Sequence, residues 1–391
     1  MHVALLTHFP GKGGSTYLLK QVAEALGERG HTCTTIVGSD DKEPIISGYH
    51  VVSGKGRVER RSAYLKLLEK EEPQVVLRIS GVEEFDWLRF TPLPRVSHCS
   101  SFEDHEYHSI PHLVHSTYGY TELWTGNTPD MEDLLADACG APIPFQLLPY
   151  RIAETFTSLP APRPEESPSD SIRIAYVGRL EAFQKRVRRL PDIIRQTHEY
   201  EPGVHWEILG DGPECEFLIR QLSRHHLQEC VTFHKWMSPT GIVQTLNSCQ
   251  VFFLCSRWEG LPIAMVESML CGLAPVVPDL SAGVSYLIDS SAGWTYEPNT
   301  VGGAVRAVVQ AIRSPDLPSR RIGAWSAAHQ MTSPVVVSRQ LDELFSRMQH
   351  LAHNDRVETD LRIAPVRSLA FRKLPSALAH RAARRFRTLL P

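Results

Sequence analysis

No two of the 8 cysteines form a Cys-x-x-Cys pair; they are scattered at 33, 99, 139, 215, 230, 249, 255 and 271, several inside apolar runs. A reduced cysteine in such a run behaves as a small hydrophobe, so a reducing compartment without a thiolate zinc site is expected. No apolar run approaches the length of a membrane-spanning helix. No basic n-region or long apolar h-region precedes the first strand-like run, Val3–Thr7, so a cytoplasmic chain without a secretory signal is expected. There is no Walker loop, because Lys12 is followed by Gly13, and no G-x-G-x-x-G in the same place, which weakens kinase and dinucleotide readings.

The 391 residues are 42% hydrophobic and 22% charged, which excludes a disordered or fibrous chain and allows two ordinary domains. The formal charge of −3 gives no sign of a nucleic-acid partner, but it hides an asymmetry. From Leu361 onward there are 8 Lys/Arg and no Asp/Glu, so the preceding 360 residues carry 33 basic against 44 acidic side chains.

Residues 157–171 (TSLPAPRPEESPSDS) contain four prolines and little to bury, which suits a linker. The expected division is 1–156, a linker at 157–171, 172–350, and a basic tail at 351–391. Both larger parts alternate short apolar strands with helical periodicity. In the first, strands are predicted at 3–7, 74–79, 95–97, 115–117 and 145–148, with helices at 15–29 and 130–139. In the second, strands are predicted at 172–177, 205–209, 231–233, 250–254, 274–277 and 294–296, with helices near 186–199, 214–226, 239–248, 262–271, 301–313 and 333–352. The pattern predicts an α/β protein of two doubly wound Rossmann-like domains facing across a cleft. Ligands then belong at the carboxyl ends of the strands.

Three loops fall there. Phe9–Thr16 (FPGKGGST) lets backbone approach an anion at a helix start, although taken alone a tight turn into the helix is the slightly favoured reading. Gly178–Lys185 (GRLEAFQK) places Arg179 and Lys185 where they could clamp a diphosphate. Ser256–Gly272 (SRWEGLPIAMVESMLCG) sets Glu259 in the loop before a helix that Pro262 starts and Gly272 ends. The amides of Gly260–Ile263 suit phosphate, and Glu267 lies among apolar neighbours where a carboxylate needs a partner such as ribose hydroxyls.

Together with Gly210-Asp211-Gly212-Pro213, these residues resemble the retaining GT-B glycosyltransferases, glycosyltransferase family 4 in particular, over roughly 1–350 and most strongly over 172–300. The resemblance implies a nucleoside-diphosphate-sugar donor bound mainly by the second domain. Arg179 and Lys185 would hold the diphosphate and Glu267 the ribose. Glu259 with Gly260, Leu261 and Pro262 would meet the transferred sugar and the phosphates. Gly13 and Gly14 would let the first domain close over the diphosphate. His98, directly after the strand 95–97, resembles the family's active-site histidine near the donor sugar. The chain departs from the family at Ala282-Gly283-Val284-Ser285-Tyr286, with Tyr286 where glutamate is usual, so the implied donor contacts are not carried there. No Asp-x-Asp is present, which fits a reaction without metal or cofactor in which cations and helix N-termini stabilise the departing diphosphate. The expected acceptor is a glycan, a lipid-linked sugar or a small molecule.

Two segments are weighed apart. His98, His105, His108, His112 and His115 have spacings that suggest a metal face, but Pro111 interrupts any helix, and a polar cleft loop fits better. Ser376–Leu390 can form a helix with Leu378, Ala382, Phe386 and Leu389 on one face and arginines largely elsewhere. It suits peripheral contact with an anionic membrane, or equally packing on the acidic body or a disordered tail; nucleic acid is disfavoured. Two other functions compete with transfer: a sugar-nucleotide epimerase or hydrolase on the same fold, and a non-catalytic nucleotide-sugar-binding scaffold.

Overall fold

The computed structural model describes residues 1–8, 14–38, 48–80, 87–88, 90–99, 121–163, 172–280, 283–289 and 291–353. The first sheet comprises β1 (His2–Thr7), β2 (Thr32–Val37), β3 (Tyr49–Val51), β4 (Val75–Arg78), β5 (Arg95–Cys99), β6 (Leu123–Gly126) and β7 (Phe145–Leu147), in the order β3-β2-β1-β4-β5-β6-β7. The second comprises β8 (Arg173–Val177), β9 (His205–Leu209), β10 (Val231–His234), β11 (Val251–Phe253), β12 (Ala274–Pro278) and β13 (Trp294–Tyr296), in the order β10-β9-β8-β11-β12-β13. Every pairing is parallel.

Helices cover both faces of such sheets, so central strands are apolar throughout rather than alternating. Val3–Thr7 and Val251–Phe253 are buried at every position. In both sheets the strand order reverses beside the first strand, between β1 and β4 and between β8 and β11. Crevices at the carboxyl edge open at such reversals. The loops after β8 and β11 are those that carry Arg179, Lys185 and Glu259.

The core is continuous across the two parts. Val3 and Leu5 of the first sheet belong to one buried cluster with Leu148, Tyr150 and Phe156, and with Phe252, Met265 and Met269 of the second. The last described helix, Pro334–His353, belongs to the second part in sequence but lies against the first. Arg29 Nε donates to Asp342 Oδ1 at 2.6 Å, the Phe345 ring meets His31 edge-on, and Arg347 donates to the Phe145 carbonyl.

The structure adds elements that the periodicity does not mark. Thr32–Val37 is a strand rich in threonine. Arg57–Glu71 buries only Tyr64 and Leu68, one turn apart. Leu317–Thr332 buries mainly alanines and polar side chains, which carry little hydrophobic signal. Pro262 proves to be the extended residue before the helix Ile263–Leu270 rather than part of its first turn. The predicted strand 115–117, the histidine-rich segment after Cys99, Gly13 and the basic tail beyond His353 lie outside the described residues. All eight cysteines are free thiols. Among the described residues no helix is long and apolar enough to cross a membrane.

Candidate functional site

The loop after β8 is held by Glu181. Its Oε1 accepts the amides of Gln184 and Lys185 at 2.8 and 2.6 Å, and its Oε2 accepts that of Phe183 at 2.7 Å. This folds the loop so that Lys185 points back toward the loop after β11. Lys185 Nζ lies 2.5 Å from Glu259 Oε1, both side chains being largely buried. Ser256 Oγ donates to the same oxygen at 2.5 Å. Among the described residues Glu259 Oε2 takes no hydrogen bond. Two further bonds tie the loops together: Gln184 Nε2 donates to the Trp258 carbonyl at 3.3 Å, and the Arg257 amide donates to the Gln184 carbonyl at 2.7 Å. Arg179 is exposed at the mouth, its guanidinium 3.1 Å from Gln184 Oε1.

The neighbouring turn explains the glycines. A Cβ on Gly210 would come within 2.0 Å of the Gly178 carbonyl oxygen, and one on Gly212 within 2.4 Å of that of Leu180. The turns after β8 and β9 therefore meet backbone to backbone, which only glycine permits.

Glu267 stands in the helix Ile263–Leu270, more than a turn beyond Glu259. Among the described residues no group hydrogen-bonds its carboxylate, and burial pushes its carboxyl up to about 7. A partly desolvated carboxyl without a donor favours its neutral form. The first domain faces it with Tyr17, whose phenol is raised to about 12 by burial and, secondarily, by the charge of Glu267. Tyr17 Oη donates to the Arg151 carbonyl at 2.6 Å, and its ring lies 6.5 Å from that of Tyr150. Burial raises the Tyr150 phenol, and the charge of Glu259 adds to it. A Cβ on Gly14 would lie 3.6 Å from Tyr150 Oη. Gly14, Tyr17 and Tyr150 of the first domain thus lie beside Glu267 and Glu259 of the second.

His98 is placed differently. It is fully buried at the carboxyl end of β5, its Nδ1 3.0 Å from Thr125 Oγ1 and its carbonyl accepting from Arg78. Its Nε2 is buried without a hydrogen bond. Burial, aided by Arg78, lowers its pKa to about 3, so the ring is neutral at any ordinary pH. Among the described residues it hydrogen-bonds neither Lys185 nor Glu259. Sequence reasoning did not mark Ser256, Tyr17 or Tyr150. Ser256 is a plain loop residue, and the tyrosines look like core positions of a helix and of a strand end.

Two doubly wound domains with a polar cleft between their carboxyl edges form the GT-B fold. Residues 160–324, less than half of the chain, match the family model of the glycosyl transferases group 1. The chain is 32% identical over 117 residues to the amylovoran biosynthesis glycosyltransferase AmsD of Erwinia amylovora, covering 30% of this chain and 32% of that one. It is 25% identical over 173 residues to a glycogen synthase of Mycobacterium tuberculosis, covering 44% of this chain and 40% of that one. The chain thus spans well under half the length of these curated relatives. The solved structure of Anabaena Alr3699/HepE in complex with UDP superposes with a TM-score of 0.69 at 17% identity, over 89% of this chain and 100% of that one.

Proposed function

We propose that the protein is a retaining glycosyltransferase that moves a sugar from a nucleoside diphosphate to an acceptor hydroxyl. The observation that carries this reading is the buried Lys185–Glu259 pair at the strand-order reversal of the second sheet, 2.5 Å apart, with Ser256 donating to the same carboxylate oxygen. A buried ion pair with one free carboxylate oxygen, beside an exposed arginine, provides a cation for phosphate and an acceptor for sugar hydroxyls in one place. The match of 160–324 to group 1 glycosyl transferases and the UDP carried by the HepE structure point the same way.

In this reading the diphosphate draws Lys185 and Arg179 and meets the amides of Gly260, Leu261 and Ile263. Glu259 accepts from the sugar, and Glu267 accepts from the ribose hydroxyls. The bond between the anomeric carbon and the phosphate oxygen breaks through an oxocarbenium-like state. The cations and the helix N-terminus stabilise the negative charge left on the diphosphate, without a metal. The acceptor hydroxyl attacks from the face the diphosphate leaves and gives its proton to the departing phosphate. A glycan or lipid-linked acceptor fits the basic tail as a contact with an anionic membrane.

The test is a thermal-shift series with UDP, GDP and ADP, with and without EDTA, because a ligand that binds only the native state raises the melting temperature. A shift with one diphosphate that EDTA leaves unchanged is expected. No shift with any of them refutes the donor site.

A further inference from the structure

Among the described residues, Asp130 is an acidic side chain of the first domain that hydrogen-bonds the second. Asp130 opens the helix Asp130–Cys139 just beyond β6, and its Oδ2 accepts the amide of Gly283 at 3.3 Å across 153 residues of sequence. Its Oδ1 is buried without a hydrogen bond, and burial holds the carboxyl above the ordinary aspartate range.

Gly283 is not a free loop residue. Its φ is +70°, and a Cβ there would come within 2.3 Å of the Gly260 carbonyl oxygen and 2.9 Å of the Leu261 amide nitrogen. Its backbone therefore rests directly on the turn Gly260–Leu261, which has no long polar side chain to fix it. Tyr286 lies in the same quarter, half exposed, with its phenol raised by burial and by the charge of Asp130. The segment 283–286 thus brings no carboxylate of its own to the cleft and meets one from the opposite domain.

We propose that Asp130 is a positioning residue that clasps the two domains: its carboxylate holds Gly283, and Gly283 sets the Gly260–Leu261 turn on which the donor phosphates rest. The inference rests on the donor site proposed above. It adds that this site is complete only when the first domain supplies Asp130. Opening the cleft breaks the Asp130–Gly283 bond and frees the turn, so domain closure and donor affinity are coupled. The coupling works through one acceptor oxygen and not through charge. A negative charge this close to a diphosphate opposes binding, so the gain must come from geometry.

Asp130→Ala removes both the charge and the acceptor, whereas Asp130→Asn removes the charge and keeps an oxygen that can accept the Gly283 amide. UDP titrated into each purified protein by calorimetry should bind up to roughly tenfold more weakly to Asp130→Ala, as expected for one lost hydrogen bond. Asp130→Asn should bind about as wild type does, with melting temperatures close to wild type for both. Solution scattering of the ligand-free proteins should show a larger radius of gyration for Asp130→Ala alone. Unchanged or tighter UDP binding by Asp130→Ala overturns the proposal, as does an equal loss in both variants. If the wild type binds none of UDP, GDP and ADP, the donor reading fails, and the scattering comparison still decides the clasp: identical curves for wild type and Asp130→Ala refute it.

Discussion

Glu267→Gln separates what the buried carboxyl costs the fold from what it gives the ligand. The carboxyl is raised from 4.5 to about 7 by burial. The folded state therefore holds its proton over a window in which the unfolded state has lost it. With the native state binding more protons, stability falls as pH rises from 4.5 to about 7 and is level above that. The shift corresponds to at most about 3 kcal/mol, at about 1.4 kcal/mol for each unit. Glutamine keeps the shape and never ionises. The variant should match wild type near pH 4.5 and exceed it at pH 8 by up to about 3 kcal/mol, or roughly 6–12 °C in melting temperature. Urea denaturation of both proteins from pH 4.5 to 8 measures the difference, which cancels every other titrating group. UDP affinity should move the opposite way. In the proposed site ribose hydroxyls donate to the ionised carboxylate, so wild-type affinity should rise with pH up to about 7, while the glutamine variant binds more weakly and with a flatter profile. Parallel stability curves for the two proteins, or a less stable variant at pH 8, would refute the reasoning.

Three further outcomes are expected, two from the geometry and one from the sequence of the tail. Lys185→Ala and Glu259→Gln should each cost about 3 kcal/mol, because removing one partner strands a buried polar group; in a denaturation cycle the double variant should lose clearly less than the sum, and additive losses would show that the pair is not coupled. Gly210→Ala forces a methyl against the Gly178 carbonyl at 2.0 Å and should destabilise the second domain by more than about 3 kcal/mol, read by thermal unfolding. Deleting 361–391 removes 8 basic residues, each worth about 1 kcal/mol near an anionic bilayer; it should abolish cosedimentation with phosphatidylserine vesicles and leave UDP binding unchanged.

The sequence by itself determined the two-domain doubly wound architecture, because parallel strands buried on both faces must be short apolar runs and their crossovers must be helices. It also placed Arg179, Lys185 and Glu259 in loops that follow apolar strands and Glu267 in the helix after them, because those positions can be read from spacing. It did not mark the strand Thr32–Val37 or the helices Arg57–Glu71 and Leu317–Thr332. Their apolar faces are interrupted by threonine, built from two residues, or made of alanine, and they become stable only when neighbours cover them.

Only the tertiary structure decided which polar groups meet. Lys185 and Glu259 are 74 residues apart and Asp130 and Gly283 are 153 apart, so no local pattern encodes either contact. The structure alone set Tyr17 and Tyr150 of the first domain against the carboxylates of the second, and buried His98 as a neutral ring at the end of its strand. It also carried the helix Pro334–His353 back onto the first domain, where Arg29 and the Phe145 carbonyl receive it. Periodicity records which face of an element is apolar. It does not record which element from elsewhere in the chain covers that face, and that choice brings the cleft together.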